Sequence, residues 1–144
     1  MRLETATSRE LVSRLKKLMP SGVVFKHCDM LTKGIPDISV SYKGRTIWSE
    51  AKYIDDVTRI SGDEKKYVSL VPKLDVDGVQ WELLRKMGNG YLVVYTDYGS
   101  AFTHVNGCRT SVSSIRLRLY SLESVAMLML ETVKASSKRA KEDV

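Results

Sequence analysis

Residues 34–52 read GIPDISVSYKGRTIWSEAK, and this stretch predicts a β-hairpin. The turn is expected at Lys43 and Gly44, because glycine readily adopts the positive φ that a two-residue hairpin turn requires. Tyr42 then pairs with Arg45, and this first pair sets the register of every residue further from the turn.

The register brings two acidic side chains together. Counting outward from the turn, Asp37 falls opposite Glu50, and Lys52 lies two residues beyond Glu50 on the same face. Directly opposed residues have Cβ atoms about 4.5–5.5 Å apart, and like charges in such a pair are destabilising. The pair therefore requires a cation, and a hard divalent ion held by oxygen ligands can supply it.

The two faces of the predicted hairpin differ in polarity. One face is mostly apolar and consists of Ile38, Val40, Tyr42, Ile47 and Ala51. The face of Asp37 also carries Ser39, Ser41, Thr46 and Trp48. One buried face and one polar face are expected of a hairpin at the edge of a core.

This pattern resembles the PD-(D/E)xK nuclease superfamily, and its Gly-x-Pro-Asp form followed by Glu-x-Lys is most similar to the VRR-NUC branch. The resemblance covers about residues 4–96. The residues that match the family pattern are Glu10, Lys26, Gly34, Pro36, Asp37, Glu50, Lys52 and Gln80. Family members usually reach the Gln soon after Glu-x-Lys, whereas here residues 53–78 intervene. The resemblance implies an α/β fold with a restriction-endonuclease-like core, in which helices flank a mixed β-sheet.

The resemblance also implies an activity and roles for single residues. Asp37, Glu50 and Glu10 are the expected ligands of Mg²⁺ or Mn²⁺, and Lys52 is expected to position the attacking water and to stabilise developing negative charge. Gln80 is expected to orient water or a phosphate, and Lys26 to contact a phosphate. The implied reaction is hydrolysis of DNA phosphodiesters, and branched DNA such as a Holliday junction is the preferred substrate.

Two of these residues also have a structural interpretation. Thr7 and Glu10 have the spacing of a capping box at the start of a helix, and Asp77 and Gln80 have the same spacing at the next helix. The activity has alternatives as well: a nucleic-acid-binding module that does not cut, or a flap, nicking or restriction-type nuclease.

The whole chain is consistent with a single domain over residues 1–144. It has 144 residues, a net charge of +6 and a pI near 9.3, and such a basic balance favours a polyanionic partner. No apolar run approaches the roughly 20 residues of a membrane span. The polar first residues do not resemble a signal peptide, so we expect a cytoplasmic protein of a bacterium or a phage-infected cell.

Three helices are predicted, over residues 7–19, 78–87 and 122–134, and a charged tail follows at 134–144. Residues 53–78 form an insertion that we expect to be mobile, with a small hairpin of its own. Its basic residues are candidates for DNA binding, with a solvated charged loop as the alternative. They are Arg59, Lys65, Lys66 and Lys73.

The last helix predicts a homodimer. Residues 125–130 contain no polar side chain, whereas a helix at the surface of a monomer should be polar on one face. Cover must come from a second subunit or from the domain's own sheet, and the sequence leaves both open.

Overall fold

The structure, a computed structural model, describes residues 2–27, 35–105 and 114–142, with side chains described as far as residue 135. Within these ranges the helices are α1 (Arg2–Leu18), α2 (Pro72–Asp75), α3 (Gly78–Met87) and α4 (Leu122–Glu142). The strands are β1 (Val23–Lys26), β2 (Ile38–Tyr42), β3 (Arg45–Tyr53), β4 (Ile60–Ser61), β5 (Tyr67–Leu70), β6 (Gly90–Thr96), β7 (Gly99–His104) and β8 (Ile115–Arg118).

The main sheet has five strands in the order β1-β2-β3-β6-β7. Strands β3 and β6 are parallel, and the other neighbours are antiparallel. Helices α1 and α4 pack on one face, where Leu11, Val40, Val93 and Met129 belong to one buried cluster. The other face packs against α3 and a second, smaller sheet. This arrangement confirms the predicted α/β fold with a mixed sheet flanked by helices.

The β2–β3 hairpin has the predicted register. Lys43 and Gly44 both have positive φ, at 47° and 79°, as a two-residue turn of this kind requires. Tyr42 pairs with Arg45, and the register continues to the pair Ile38 and Ser49. The apolar face is buried as expected, since Ile38, Val40 and Ile47 belong to the cluster beneath α1 and α4.

The inserted segment forms a second layer of structure. Strands β4 and β5 are antiparallel, which confirms the predicted small hairpin, and β8 pairs with β5 to complete a three-stranded sheet. Val68 and Leu70 are fully buried in the cluster that also contains Trp81 of α3. The insertion therefore covers one face of the main sheet.

Helix α3 agrees with its prediction, whereas the predicted first helix is present but starts earlier than expected. Asp77 caps α3 by accepting a hydrogen bond from the Val79 N–H at 2.9 Å, and Gly88 ends the helix with φ of 72°. In α1, which begins five residues earlier than predicted, Thr7 lies inside the helix and its hydroxyl donates to the Leu3 carbonyl at 2.6 Å. The predicted capping box of Thr7 and Glu10 is therefore wrong.

Helix α4 continues to Glu142, so the predicted helix end near residue 134 is wrong. The residues there include Lys, Arg, Glu and Ala, which are strong helix formers. Most of its apolar run is buried within the chain: Val125, Ala126, Met129 and Leu130 are buried, while Met127 is 50% exposed. The domain's own sheet and α1 thus provide the cover that the sequence left open.

Candidate active site

Asp37 lies in the bend immediately before β2, and bonds from two strands hold it there. Its Oδ2 accepts a hydrogen bond from the Ala51 N–H of β3 at 3.0 Å. Its backbone carbonyl accepts one from the N–H of His27, the residue that follows β1, at 2.7 Å. Pro36 is buried beside it. The Pro-Asp bend therefore has a fixed position between two strands.

Glu50 is the buried member of the carboxylate pair. It lies in the middle of β3, opposite Leu92 of the parallel strand β6, and it is only 4% exposed. Its carboxyl group lies within hydrogen-bonding reach of that of Asp37. Within the described part of the chain, its Oε2 atom is buried and has no hydrogen-bond partner. One buried acceptor of the pair therefore has no partner among the described residues.

Burial is the largest of several effects that raise the pKa of Glu50 to about 10. The hydrogen bond to Asp37 and the charges of Asp37 and Glu4 act in the same direction, and a backbone N–H at Ala51 opposes them. A carboxyl group in this environment holds a proton at neutral pH unless a cation replaces it.

Helix α1 brings Glu4 to the site, and the sequence motif does not include this residue. Glu4 Oε2 accepts a hydrogen bond from the Tyr53 N–H at 3.2 Å, at the end of β3. A signal for it existed, because Glu4 precedes the buried residues Ser8, Leu11 and Leu15 at helical spacing and so shares their face.

The structure does not bring Glu10 to Asp37 and Glu50. Its Oε1 pairs with Arg14 of the same helix at 2.9 Å, and Arg14 also pairs with Glu123 of α4 at 2.7 Å. Glu10 is exposed, and it is six residues beyond Glu4, which places the two on different sides of α1. The α1 carboxylate at the site is Glu4, where the sequence pointed to Glu10.

Lys52 lies two residues beyond Glu50 and shares its face of β3. Its ammonium group is close enough to Asp75 of α2 to affect that carboxylate. Burial raises the pKa of Asp75, but the hydrogen bonds from Arg59 and the Val71 N–H, together with the charge of Lys52, outweigh burial and lower it. Lys52 therefore lies between the carboxylate pair and the inserted segment.

The other two predicted site residues lie in the surrounding elements. Lys26 ends β1 opposite Ile38, the residue after Asp37, and it is half-buried. Gln80 lies in the first turn of α3, one residue before the buried Trp81, and is half-buried as well. Their roles stay predictions.

The basic residues of the insertion differ in the contacts they make. Arg59 forms two hydrogen bonds with the Asp75 carboxylate, and its Nε donates to the Ser69 carbonyl at 3.0 Å, so its guanidinium group is engaged within the fold. Lys66 pairs with Glu64 at 2.9 Å, and Lys65 lies over the Tyr98 ring, 4.5 Å from its centroid. Lys73 is exposed on α2.

The carboxylate oxygens at the site are suitable ligands for a hard cation, although they are few. Among the described residues no group of three or more His, Cys, Asp and Glu side chains has the arrangement of a metal site. Asp37 and Glu50 nevertheless form a carboxylate pair with a buried oxygen lacking a partner, and Glu4 adds negative charge nearby. Mg²⁺ is commonly bound through one or two carboxylates together with substrate phosphates.

The fold is similar to that of a Holliday junction resolvase, Hjc, from the archaeal hyperthermophile Archaeoglobus fulgidus. The TM-score is 0.55 at 14% sequence identity, and the match covers 85% of this chain and 98% of the resolvase chain. At this identity the similarity establishes a shared fold and no more. No family model and no curated protein matches the sequence.

The comparison agrees with the fold that the sequence predicts, while the narrower VRR-NUC assignment stays a prediction. In the described part of the chain, no helix is both long enough and apolar enough to cross a membrane.

Proposed function

We propose that this protein is a metal-dependent endonuclease that hydrolyses phosphodiester bonds of branched DNA. The observation that carries the proposal is the pairing of Asp37 with the buried Glu50, whose Oε2 has no partner within the described residues, on the strand face that also carries Lys52. A carboxylate pair of this kind costs stability, and a bound cation offsets that cost.

Asp37 and Glu50 would hold Mg²⁺ or Mn²⁺, with Glu4 contributing negative charge from α1. When bound, the ion supplies Lewis-acid stabilisation and lowers the pKa of a water molecule. The Ala51 N–H keeps the Asp37 carboxylate in one orientation. The Lys52 ammonium group would stabilise the negative charge that develops on the phosphate, since a positive group already in place requires no reorganisation during the reaction.

Branched DNA is the proposed substrate because the chain shares its fold with a Holliday junction resolvase and carries a net charge of +6. Gln80 would orient the water or a phosphate, and Lys26 would contact a neighbouring phosphate. Hydrolysis is expected to leave a 5′-phosphate and a 3′-hydroxyl, as the resemblance of the motif implies.

The test is incubation with synthetic four-way junction, flap and linear duplex DNA in Mg²⁺, Mn²⁺ or EDTA. We expect cutting of the junction with either metal and none in EDTA. Asp37→Asn, Glu50→Gln and Lys52→Ala should each abolish cutting but leave DNA binding in place. Glu82→Gln, which removes an exposed carboxylate of α3, is the matched control and should cut normally.

Wild-type rates of cutting by Asp37→Asn would refute the site. Tight binding of the junction without cutting under any metal condition would instead indicate a binding module on a nuclease fold. Preference for the flap or the linear duplex would replace the proposed substrate but keep the site.

A further inference from the structure

The outer face of the three-stranded sheet carries two arginines beside a tyrosine. In the β4-β5-β8 register, Tyr67 is opposite Arg118 and Ser69 is opposite Arg116, so these four side chains lie on one face. The residues between them, Val68 and Leu117, belong to or pack against the core. We call Tyr67, Ser69, Arg116 and Arg118 the arginine–tyrosine face.

The Tyr67 ring holds both guanidinium groups. The Arg116 guanidinium lies 3.9 Å from the ring centroid and that of Arg118 lies 5.5 Å from it. Arg118 Nη1 also approaches the Tyr67 hydroxyl, at 3.4 Å. Contact with an aromatic ring orients a guanidinium group but leaves the N–H groups at its edge available.

Gly62 at the adjacent turn is required by this arrangement. It has φ of 85°, and a Cβ there would lie 2.7 Å from Cδ2 of Tyr67 and 3.0 Å from Nη2 of Arg116. A side chain at position 62 would therefore displace both groups. The turn is shaped around the packed arginine and tyrosine.

Neither Arg116 nor Arg118 forms an ion pair with a carboxylate in the part of the chain that the structure describes, whereas Arg14 and Arg59 do. Both side chains are exposed. The carboxylates of the adjoining groove are Asp63 and Glu64, and Glu64 is paired with Lys66 at 2.9 Å. The face thus presents two oriented, exposed cations.

We propose that the arginine–tyrosine face binds the phosphodiester backbone of a DNA arm away from the cut site. Backbone phosphate fits better than bases, because the guanidinium groups already occupy the Tyr67 ring that a base would need for stacking. Arg also binds phosphate oxygens through two parallel hydrogen bonds. This inference rests on the proposed function, and it assigns the three-stranded sheet to binding of the same substrate.

A short series of contacts connects this face to the carboxylate pair. Ser69, the partner of Arg116, accepts a hydrogen bond from Arg59 Nε through its carbonyl. Arg59 binds Asp75, and Asp75 lies near Lys52. The three-stranded sheet that carries the face is therefore connected by side-chain contacts to the part of the candidate site where Lys52 lies.

The test is binding of a four-way junction in EDTA, which prevents metal-dependent cutting, over a range of salt concentrations. The double variant Arg116→Gln with Arg118→Gln should reduce the slope of log affinity against log salt by about 1.8, because each lost phosphate contact contributes about 0.9. The matched control is Lys16→Gln with Lys17→Gln, which removes the same charge from the end of α1 across the main sheet. Its slope should stay close to that of the wild type.

A second variant, Arg116→Lys with Arg118→Lys, keeps the charge and should keep the fold. It should bind more weakly than the wild type with little change in slope, because Lys cannot bind phosphate through two parallel N–H groups. Equal slopes for the Arg→Gln variant and the Lys→Gln control would overturn the inference. If the wild type cuts no DNA but the Arg→Gln variant still loses slope, the face binds DNA and only the proposed endonuclease activity fails.

Discussion

The protonation of Glu50 links the candidate site to the stability of the fold. At the scale of this residue, the pKa is raised from an ordinary value of 4.5 to about 10, with burial as the largest cause. Below pH 4.5 the carboxyl is protonated in both the folded and the unfolded chain. Between pH 4.5 and about 10 only the folded chain keeps the proton, so the free energy of unfolding falls as the pH rises.

Thermal unfolding in EDTA tests this effect. Between about pH 5 and pH 9 the wild type should lose stability more steeply than Glu50→Gln, by at most about 1.4 kcal/mol per pH unit. Glu50→Gln cannot titrate at this position and should therefore melt higher than the wild type near pH 8. Parallel curves for the two proteins would contradict the pKa assigned to Glu50.

Glu4 and Glu10 give a matched pair of substitutions within one helix. Glu4→Gln should weaken Mn²⁺ binding, because Glu4 adds negative charge beside Asp37 and Glu50. Glu10→Gln removes the same charge but lies beside Arg14, so Mn²⁺ affinity should change little. Calorimetric titration of both variants with Mn²⁺ checks this; equal losses would show that only the total charge of α1 matters.

The contact between Asp37 and Glu50 could be predicted because two features fix the register of the hairpin. One is the two-residue turn, and the other is the alternation of side chains between the two faces of a strand. The choice between Glu4 and Glu10 could not be made from the motif, since a carboxylate on a helix is placed by how the helix packs. The buried stripe of α1 contained the needed information. The basic charge of the insertion also pointed to Arg59, but its guanidinium group is bound within the fold by a partly buried partner, Asp75.

Among the elements, the inserted sheet is anchored by the pair of Arg59 and Asp75. These side chains are 25% and 14% exposed, and Asp75 also accepts a hydrogen bond from the Val71 N–H at 2.8 Å. Loss of one partner would leave a partly buried charge and a backbone donor unsatisfied. The anchor lies beside Lys52, so the same pair positions the insertion relative to the candidate site.

Asp75→Ala should therefore lower the free energy of unfolding by about 1–3 kcal/mol. The control is Glu64→Ala, which breaks the more exposed pair with Lys66 and should cost less than about 1 kcal/mol. Urea denaturation of both variants measures the difference. A cost for Asp75→Ala no greater than that of the control would show that the anchor contributes little.

The pairing of β5 with β8 could not be predicted from the sequence, because it joins segments about a third of the chain apart and neither has a distinctive pattern. The helix ends were also difficult. Helix α1 extends before Thr7 because Glu4 binds the end of β3. Helix α4 extends past residue 134 because the residues there have a high helix propensity. Local signals placed α3 correctly, since its Asp cap and Gly stop lie in the sequence itself.

At the scale of the whole molecule, the homodimer stays a prediction, but the structure removes the main argument for it. Most of the apolar run of α4 is buried against the chain's own sheet and α1, and only Met127 in that run is largely exposed. A two-fold dimer would still place two copies of the site for paired cuts in a symmetric junction. Light scattering at micromolar concentration should give twice the mass of the 16.2 kDa chain; a monomer mass would exclude the dimer.

The mixed sheet determines where this chain can tolerate additional length. The parallel strands β3 and β6 must be joined by a long crossover connection, and strands β4 and β5 of the three-stranded sheet lie within it. The antiparallel β2–β3 turn has no such freedom, since one extra residue would move Asp37 to the opposite side from Glu50. Variation among proteins of this design should therefore accumulate after Glu-x-Lys, where this sequence departs from the usual spacing, and spare the turn that assembles the carboxylates.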